Sequence, residues 1–323
     1  MGFIRLQDHA ERGEHTTFSY THPIEHMHEL QTSDSNQSAT LRRMAAALPR
    51  AAIRQAAEVR RACWRVARRS GMRHGRPMSA VFDWPGFLPA FEIAARKAGF
   101  VKSLLMETAA GPLVAWHRGG GGPHVYLSAG IHGDEPAGPL ALLEMMRAGW
   151  FAQEIGWSLC PALNPTGLAA GTRENAAGID LNRDYLLRST AEAAAHAAWL
   201  ESRGAPGLFI SLHEDWEANG FYFYEINLGA DEPCRAEDIL DAVRPWFPPD
   251  PGHEIDGHSP RGPGWIYHAA EADVPEGWPE AIFMAKLGCP LSFTFETPSH
   301  ADLAARVAAQ CAAVRAACRH LTD

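Results

Sequence analysis

The 323-residue sequence lacks several features that would commit it to a class. It has no apolar run near the ~18 residues needed to span a bilayer. Its start, MGFIRLQDHAERGEH, has no apolar signal-peptide core, and Leu6 stands where a myristoylation motif needs Ser or Thr. A cytoplasmic location is therefore expected. The six cysteines (Cys63, Cys160, Cys234, Cys289, Cys311 and Cys318) are scattered without a C-x-x-C pair. That argues against a disulfide framework and against a thiolate zinc site. The serine- and cysteine-hydrolase readings are weak, and a G-x-S-x-G nucleophile elbow and a P-loop are both missing.

Lysine is absent from residues 1–80, which carry 13 Arg against 7 acids, a balance of +6. The whole chain is −9, so residues 81–323 carry −15. A body that acidic is a poor general surface for nucleic acid. The first 80 residues read as a basic N-terminal extension with weak periodicity, including an Arg/Ala-rich part broken at Pro49. A basic amphipathic helix could touch an anionic membrane or nucleic acid, but a mobile or loosely docked extension fits the weak pattern better. Its six histidines, among them those of HPIEHMH, lie outside any recognisable fold and are given no site.

From residue 81 the composition is that of a globular domain, 46% hydrophobic and 21% charged over the whole chain. FLPAFEIAARKAGF reads as a helix closed by Gly99, and VKSLLMETAAGPLVAWHR as two strands around a turn. HVYLSAGI, WSLCPALNP, GLFISLH, GFYFYEI and PLSFTFETPS read as strands. PAGPLALLEMMRAGW, STAEAAAHAAWLESRG, AEDILDAVRPWF and HADLAARVAAQCAAVRAACRHL read as helices, the second capped by Ser189 or Thr190 and stopped by Gly204. Strands alternating with helices predict an α/β fold whose mostly parallel sheet is covered on both faces.

Three of these strands lead into reactive groups. HVYLSAGI ends at His132, with Glu135 one turn on; GLFISLH ends at His213; LSFTFE ends at Glu296. In open α/β sheets the ligand crevice lies outside the carboxyl ends of the strands. Two His and one Glu with an open fourth position is the donor set of a catalytic zinc site. Each residue alone has a plainer explanation: a hydrogen-bonded strand-end histidine for His213, and an acid complementing a helix dipole for Asp134. The loop GTRENAAGIDLNRDY adds Arg173 and Arg183 together with Asp180 and Asn182. Arginine binds carboxylates through two parallel hydrogen bonds and stabilises developing oxyanions.

Taken in order, His132-x-x-Glu135, the NPTG turn, Arg173, DLNR, His213 and Glu296 resemble the zinc carboxypeptidases of the carboxypeptidase A clan, in their compact bacterial form. The resemblance covers about Phe82 to Leu321. It implies a three-layer α/β/α fold with a mixed, mostly parallel central sheet, and one zinc ion. It implies that His132, Glu135 and His213 are the zinc ligands and that Asp180 orients the first zinc histidine. Arg173 then polarises the scissile carbonyl, Asn182 and Arg183 hold a terminal carboxylate, and Glu296 is the general base. Asp134 stands where the family often has an arginine, and Tyr222, Tyr224 and Tyr267 are candidates for its substrate-closing tyrosine. The implied activity is a metallocarboxypeptidase acting on peptides or cell-wall-type peptides. An N-acyl-amino-acid deacylase of the aspartoacylase and succinylglutamate desuccinylase kind shares the same motifs. Both substrates offer an amide near a free carboxylate. A catalytically dead metal-binding domain is a third reading, against which the retained Glu296 argues, since a structural zinc site needs no base.

Overall fold

The computed structural model describes residues 82–229 and 235–321. The basic extension expected over residues 1–80 lies outside the described residues. The element order is α1 (Trp84–Lys97), β1 (Val101–Thr108), β2 (Gly111–Arg118), β3 (His124–Ala129), α2 (Ala137–Arg147), β4 (Gly156–Cys160) and α3 (Pro165–Ala170). A 3-10 turn (Leu181–Arg183), α4 (Ala191–Arg203), β5 (Leu208–Asp215), β6 (Tyr222–Asn227) and α5 (Arg235–Val243) follow. Then come β7 (Trp265–Tyr267), α6 (Glu280–Leu287), β8 (Leu291–Pro298) and α7 (Leu303–Ala317).

The strands form one mixed sheet in the order β1-β2-β4-β3-β5-β8-β6-β7. Its centre, β4-β3-β5-β8, is parallel, and the flanking β1-β2 and β6 strands run antiparallel to their inner neighbours. The alternation of side chains along a strand assigns the two faces. Val125, Leu127 and Ala129 of β3, Ile210 and Leu212 of β5, and Phe293 and Phe295 of β8 are buried in one core with Phe91, Leu142, Ile239 and Val314 of α1, α2, α5 and α7. Tyr126, Phe209 and Ala115 point the other way, into a second core with Trp199 and Leu200 of α4 and Phe283 and Met284 of α6. Two helical layers thus enclose the sheet, as the alternating pattern predicts.

The predicted ends differ from the observed ones at the places that matter. β3 stops at Ala129 because Gly130 takes a left-handed conformation (φ +65°), so His132 sits three residues beyond the strand, in a turn. β5 and β8 each run two residues past His213 and Glu296. The NPTG stretch is the capped start of a helix as well as a turn: the Asn164 side chain accepts from Gly167 N at 2.8 Å, with Pro165 in the first position. The Thr190 cap and the Gly204 stop of α4 are as expected. β7 and α6 carry no clear pattern in the sequence. Among the described residues no helix is long and apolar enough to cross a membrane.

Candidate active site

The turn after β3 brings the first two donors together. Gly133 packs against α3 so closely that a Cβ there would lie 1.9 Å from the Gly167 carbonyl carbon, and its N–H donates to Thr172 O at 2.9 Å. This close approach requires glycine. It folds His132 and Glu135 inward while Asp134 stays exposed. His213 enters from β5. His132, Glu135 and His213 are 2%, 5% and 2% exposed, which places two imidazoles and a carboxylate in the interior with only one another and a few polar neighbours.

Their atoms converge. His132 Nδ1 lies 2.6 Å from Glu135 Oε1, His213 Nδ1 lies 2.9 Å from Glu135 Oε2, and the two Nδ1 atoms are 3.3 Å apart. Zinc–nitrogen bonds of about 2.0–2.1 Å in a tetrahedron set neighbouring donors roughly 3.3 Å apart, so the pair of imidazoles fits that ion. Burial disfavours the His132 charge, but the Glu135 and Asp180 carboxylates outweigh it and raise its pKa to about 9. Burial lowers the pKa of His213. Burial also works against the Glu135 charge, yet the two imidazoles hold its pKa well below the ordinary carboxylate range. Buried charges persist only when paired or bound to metal, and these three residues offer one donor atom each within reach of a single ion.

Asp180 links the metal set to the arginine. Its Oδ1 accepts from His132 Nε2 at 3.2 Å and from Asn182 N at 2.9 Å, while Oδ2 accepts from Arg173 Nε at 3.1 Å. A carboxylate on the outer nitrogen of a ligand histidine fixes the tautomer and leaves the inner nitrogen free for a metal. Arg173 in turn reaches toward Glu135 Oε1, 3.7 Å from Nη1. Its backbone carbonyl is held by Asn164 Nδ2 at 3.3 Å, so the NPTG cap also positions this arginine.

Glu296 stands on β8 directly opposite His213 in the parallel register, and opposite Tyr222 in the antiparallel register on its other side. Its Oε2 is buried and has no hydrogen-bond partner among the described residues. Burial, reinforced by Glu135 and Asp215, pushes its pKa well above the usual carboxylate value. These residues, with Asn182 and Arg183, line one cleft of about 360 Å³, the size of a small-molecule site. Asn182 Oδ1 accepts from the backbone N–H of Glu280 at 2.9 Å, which ties the 3-10 turn to the start of α6, and Arg183 is exposed at the cleft wall. Of the tyrosine candidates, Tyr222 and Tyr224 line the cleft, donating to Asp215 and Asp256 at 3.0 and 2.6 Å. Tyr267 is exposed, donates to Asn227 O, and is not part of the lining.

Two supporting acids escaped the sequence reading. Glu214, next to His213, points to the opposite face, where it accepts from Ala137 N at 2.7 Å and pairs with Arg306 of α7. It thereby locks the start of α2 and the body of α7 to the strand that carries His213. Gln310 adds a hydrogen bond to the His213 carbonyl at 2.7 Å. Glu280, 1% exposed at the start of α6, accepts from Ser128 Oγ and Tyr126 Oη at 2.7 and 2.8 Å beneath the cleft. Burial raises its pKa to about 7, against the hydrogen bonds from Ser128 and Tyr126. Neither acid sits in a recognisable motif.

Residues 121–204 match the family model for the succinylglutamate desuccinylase/aspartoacylase catalytic domain, a segment that includes His132, Glu135, Arg173, Asp180 and Arg183. No curated protein matches the sequence. Among solved structures, one described as a metallopeptidase from Shewanella amazonensis is 25% identical with a TM-score of 0.66, covering 75% of this chain and 97% of that one. Another described in the same way, from Shewanella denitrificans, is 24% identical with a TM-score of 0.66, covering 77% and 99%. Bovine thrombin-activatable fibrinolysis inhibitor, in complex with tick carboxypeptidase inhibitor, shares the fold at 14% identity and a TM-score of 0.53, covering 74% and 96%. The chain thus shares the fold of these metallopeptidase and carboxypeptidase-like structures, and its residues 121–204 resemble the catalytic domain of the succinylglutamate desuccinylase/aspartoacylase group.

Proposed function

We propose that the protein is a zinc-dependent hydrolase that cleaves an amide bond next to a free carboxylate, acting as a metallocarboxypeptidase on short peptides or cell-wall-type peptides. The observation that carries this reading is the placement of Asn182 and Arg183 on the wall of the cleft that also holds His132, Glu135, His213 and Glu296. An exposed guanidinium in a chain body of charge −15 is a local feature suited to a carboxylate.

When bound by His132, Glu135 and His213, zinc lowers the pKa of water from 15.7 toward about 7. The chain's own groups do the rest. Arg183 and the Asn182 side chain hold the terminal carboxylate and fix the register of the substrate. Arg173 faces the scissile carbonyl and takes part of the charge that develops on its oxygen. Glu296 takes a proton from the water that attacks the carbonyl and returns it to the departing nitrogen. Burial raises its affinity for a proton, which suits the half of that exchange in which it holds one. Tyr222, across the strand pair from Glu296, lines the same cleft.

A second reading rests on the match of residues 121–204: removal of an acyl group from an N-acyl amino acid. It uses the same residues and the same carboxylate grip. Zinc-loaded protein assayed on peptides, muropeptides and N-acyl amino acids, each as free acid and as amide, separates the readings. Turnover of free-acid peptides supports the first, and turnover confined to N-acyl amino acids supports the second. Equal rates on acids and amides would contradict both.

A further inference from the structure

The cleft contains a second set of metal-type donors that the proposed reaction does not use. His258, His268 and Asp273 all line it, and their donor atoms lie within 4.8 Å of one another. They arrive on three separate segments. His258 follows a tight turn in which Ile255 and His258 exchange both backbone hydrogen bonds at 2.9 Å. The two residues between them, Asp256 and Gly257, have φ of +48° and +75°. Asp-Gly is suited to a two-residue turn with both central residues left-handed. His268 directly follows β7, and its N–H donates to Glu225 O on β6 at 2.8 Å. Asp273 lies in the loop that leads to α6.

Tyr224 on β6 organises the two imidazoles. Its ring meets His258 edge-on at 5.4 Å and His268 at 5.9 Å, and its hydroxyl donates to Asp256 at 2.6 Å. Asp256 thus belongs to the turn that carries His258 and also anchors the ring that backs both histidines. The two imidazole rings are themselves 5.0 Å apart at 71°.

The hydrogen-bond pattern around His268 points to a cation. Its Nδ1 lies 2.6 Å from the Ala269 carbonyl oxygen, which can only accept, so Nδ1 carries the proton. In a neutral ring the lone pair of Nε2 then faces Asp273 Oδ1 at 3.3 Å, acceptor against acceptor. His258 Nε2 faces the other oxygen of the same carboxylate at 3.5 Å. Two ring nitrogens therefore face one carboxylate at 3.3 and 3.5 Å, near the roughly 3.3 Å expected between neighbouring donors around tetrahedral zinc. His258 and His268 side chains are 24% and 13% exposed, so the rings are held while Asp273, 67% exposed, closes the set from the solvent side.

We propose that His258, His268 and Asp273 form a second divalent-cation site of the zinc-binding type, in the same cleft as the His132 set and separate from it. Three protein donors leave a coordination position open, the donor count of a catalytic or ligand-binding site as opposed to a closed structural one. A carbonyl-directed Nδ1–H on His268 is the usual outer partner of a ligating imidazole. The site does not depend on the reaction assigned to the cleft, because its ligands are distinct from every residue given a role there.

The test is metal binding by the full-length protein, stripped with chelator and titrated with zinc against a chromophoric competitor. Four forms are compared: wild type, His132→Ala/His213→Ala, His258→Ala/His268→Ala, and the quadruple variant. The histidines of residues 1–81 add the same background to each. The proposal predicts two more bound ions in wild type than in the quadruple variant, and one more in each double variant. It also predicts that zinc still raises the melting temperature of His132→Ala/His213→Ala, since an ion bound only by the folded state stabilises it. Should loss of both rings prevent folding, Asp273→Asn, an exposed isosteric change, carries the test, with an expected loss of at least tenfold in affinity for the second ion. A single ion lost only in His258→Ala/His268→Ala overturns the His132 set and not this proposal. Equal zinc binding by wild type and His258→Ala/His268→Ala, or a single ion lost only in His132→Ala/His213→Ala, overturns the proposal. In that event the set is an imidazolium–carboxylate pair that only walls the cleft.

Discussion

His213 and Glu296 stand directly across from each other on the adjacent parallel strands β5 and β8. Neighbouring strands are about 4.8 Å apart, and paired residues project from the same face. The separation between a proposed ligand and the proposed base is therefore set by strand register and not by a loop. A slip of one residue would send either side chain to the opposite face of the sheet. Ladder hydrogen bonds, the Phe293 and Phe295 packing behind β8 and the Gln310 bond to the His213 carbonyl all oppose such a slip.

Replacing His213 with alanine should abolish zinc binding at the His132 set. Three protein donors fall to two, and Glu135 loses one of the two imidazoles that compensate its buried charge. Metal analysis after dialysis, with His258→Ala/His268→Ala as the parent to isolate this site, should show clear loss of one ion. Full occupancy in the His213→Ala protein would remove His213 from the ligand set.

Asp180→Asn should weaken zinc affinity by about 10–100-fold, the range typical when the carboxylate behind a ligand histidine is neutralised. The change also removes the charge that steadies Arg173, so catalytic efficiency should fall even in saturating zinc. Competition titration reads the first effect and steady-state kinetics the second. An unchanged affinity would show that His132 needs no help in choosing its tautomer.

Arg183→Ala should reduce kcat/KM on a free-acid substrate by roughly 10–100-fold, matching about 1.5–3 kcal/mol for a charged hydrogen bond. The same variant should turn over the corresponding amide at the wild-type rate, because the amide offers no carboxylate to hold. Parallel losses on both substrates would mean that Arg183 supports the fold of the loop and not the substrate.

Glu280 gives a pH prediction for stability. In the unfolded chain its proton leaves near 4.5, and in the folded protein only near 7, because burial disfavours the charge. Between those values the unfolded chain binds fewer protons, so this group makes stability fall as pH rises from about 4.5 to about 7. Below that window it contributes nothing, and above it the penalty is complete, on the order of 3 kcal/mol. Glu280→Gln should flatten this part of the curve of stability against pH, measured by urea unfolding at several pH values. An unchanged slope would mean that Glu280 is ionised throughout, held by Tyr126, Ser128 and the start of α6.

Much of the site is legible in the sequence because it is built from short-range patterns on long elements. His132 and Glu135 share one turn, and His213 and Glu296 interrupt strongly apolar strands, where a charged or imidazole side chain has no packing role. Helices with caps and stops, such as α4 between Thr190 and Gly204, were equally plain. What escaped has a physical reason in each case. α6 is only eight residues long and buried around much of its circumference, with Glu280, Ile282, Phe283, Met284 and Ala285 all inside, so it has no amphipathic period. β7 has three residues. Glu214 is masked by its neighbour His213, because consecutive strand residues face opposite sides and the second face looked purely structural. His258, His268 and Asp273 are assembled from loops by tertiary contacts alone, and sequence spacing does not report those.

The most direct test of the central claim is to measure zinc content and turnover on the same preparations of wild type and Glu296→Gln. The substitution keeps the shape of the side chain and leaves His132, Glu135 and His213 untouched. The account predicts equal zinc in the two proteins and a fall in turnover of about 10²–10⁴, the range for loss of a positioned acid–base group. Turnover within tenfold of wild type, a change of about 1.4 kcal/mol in the barrier, would contradict it.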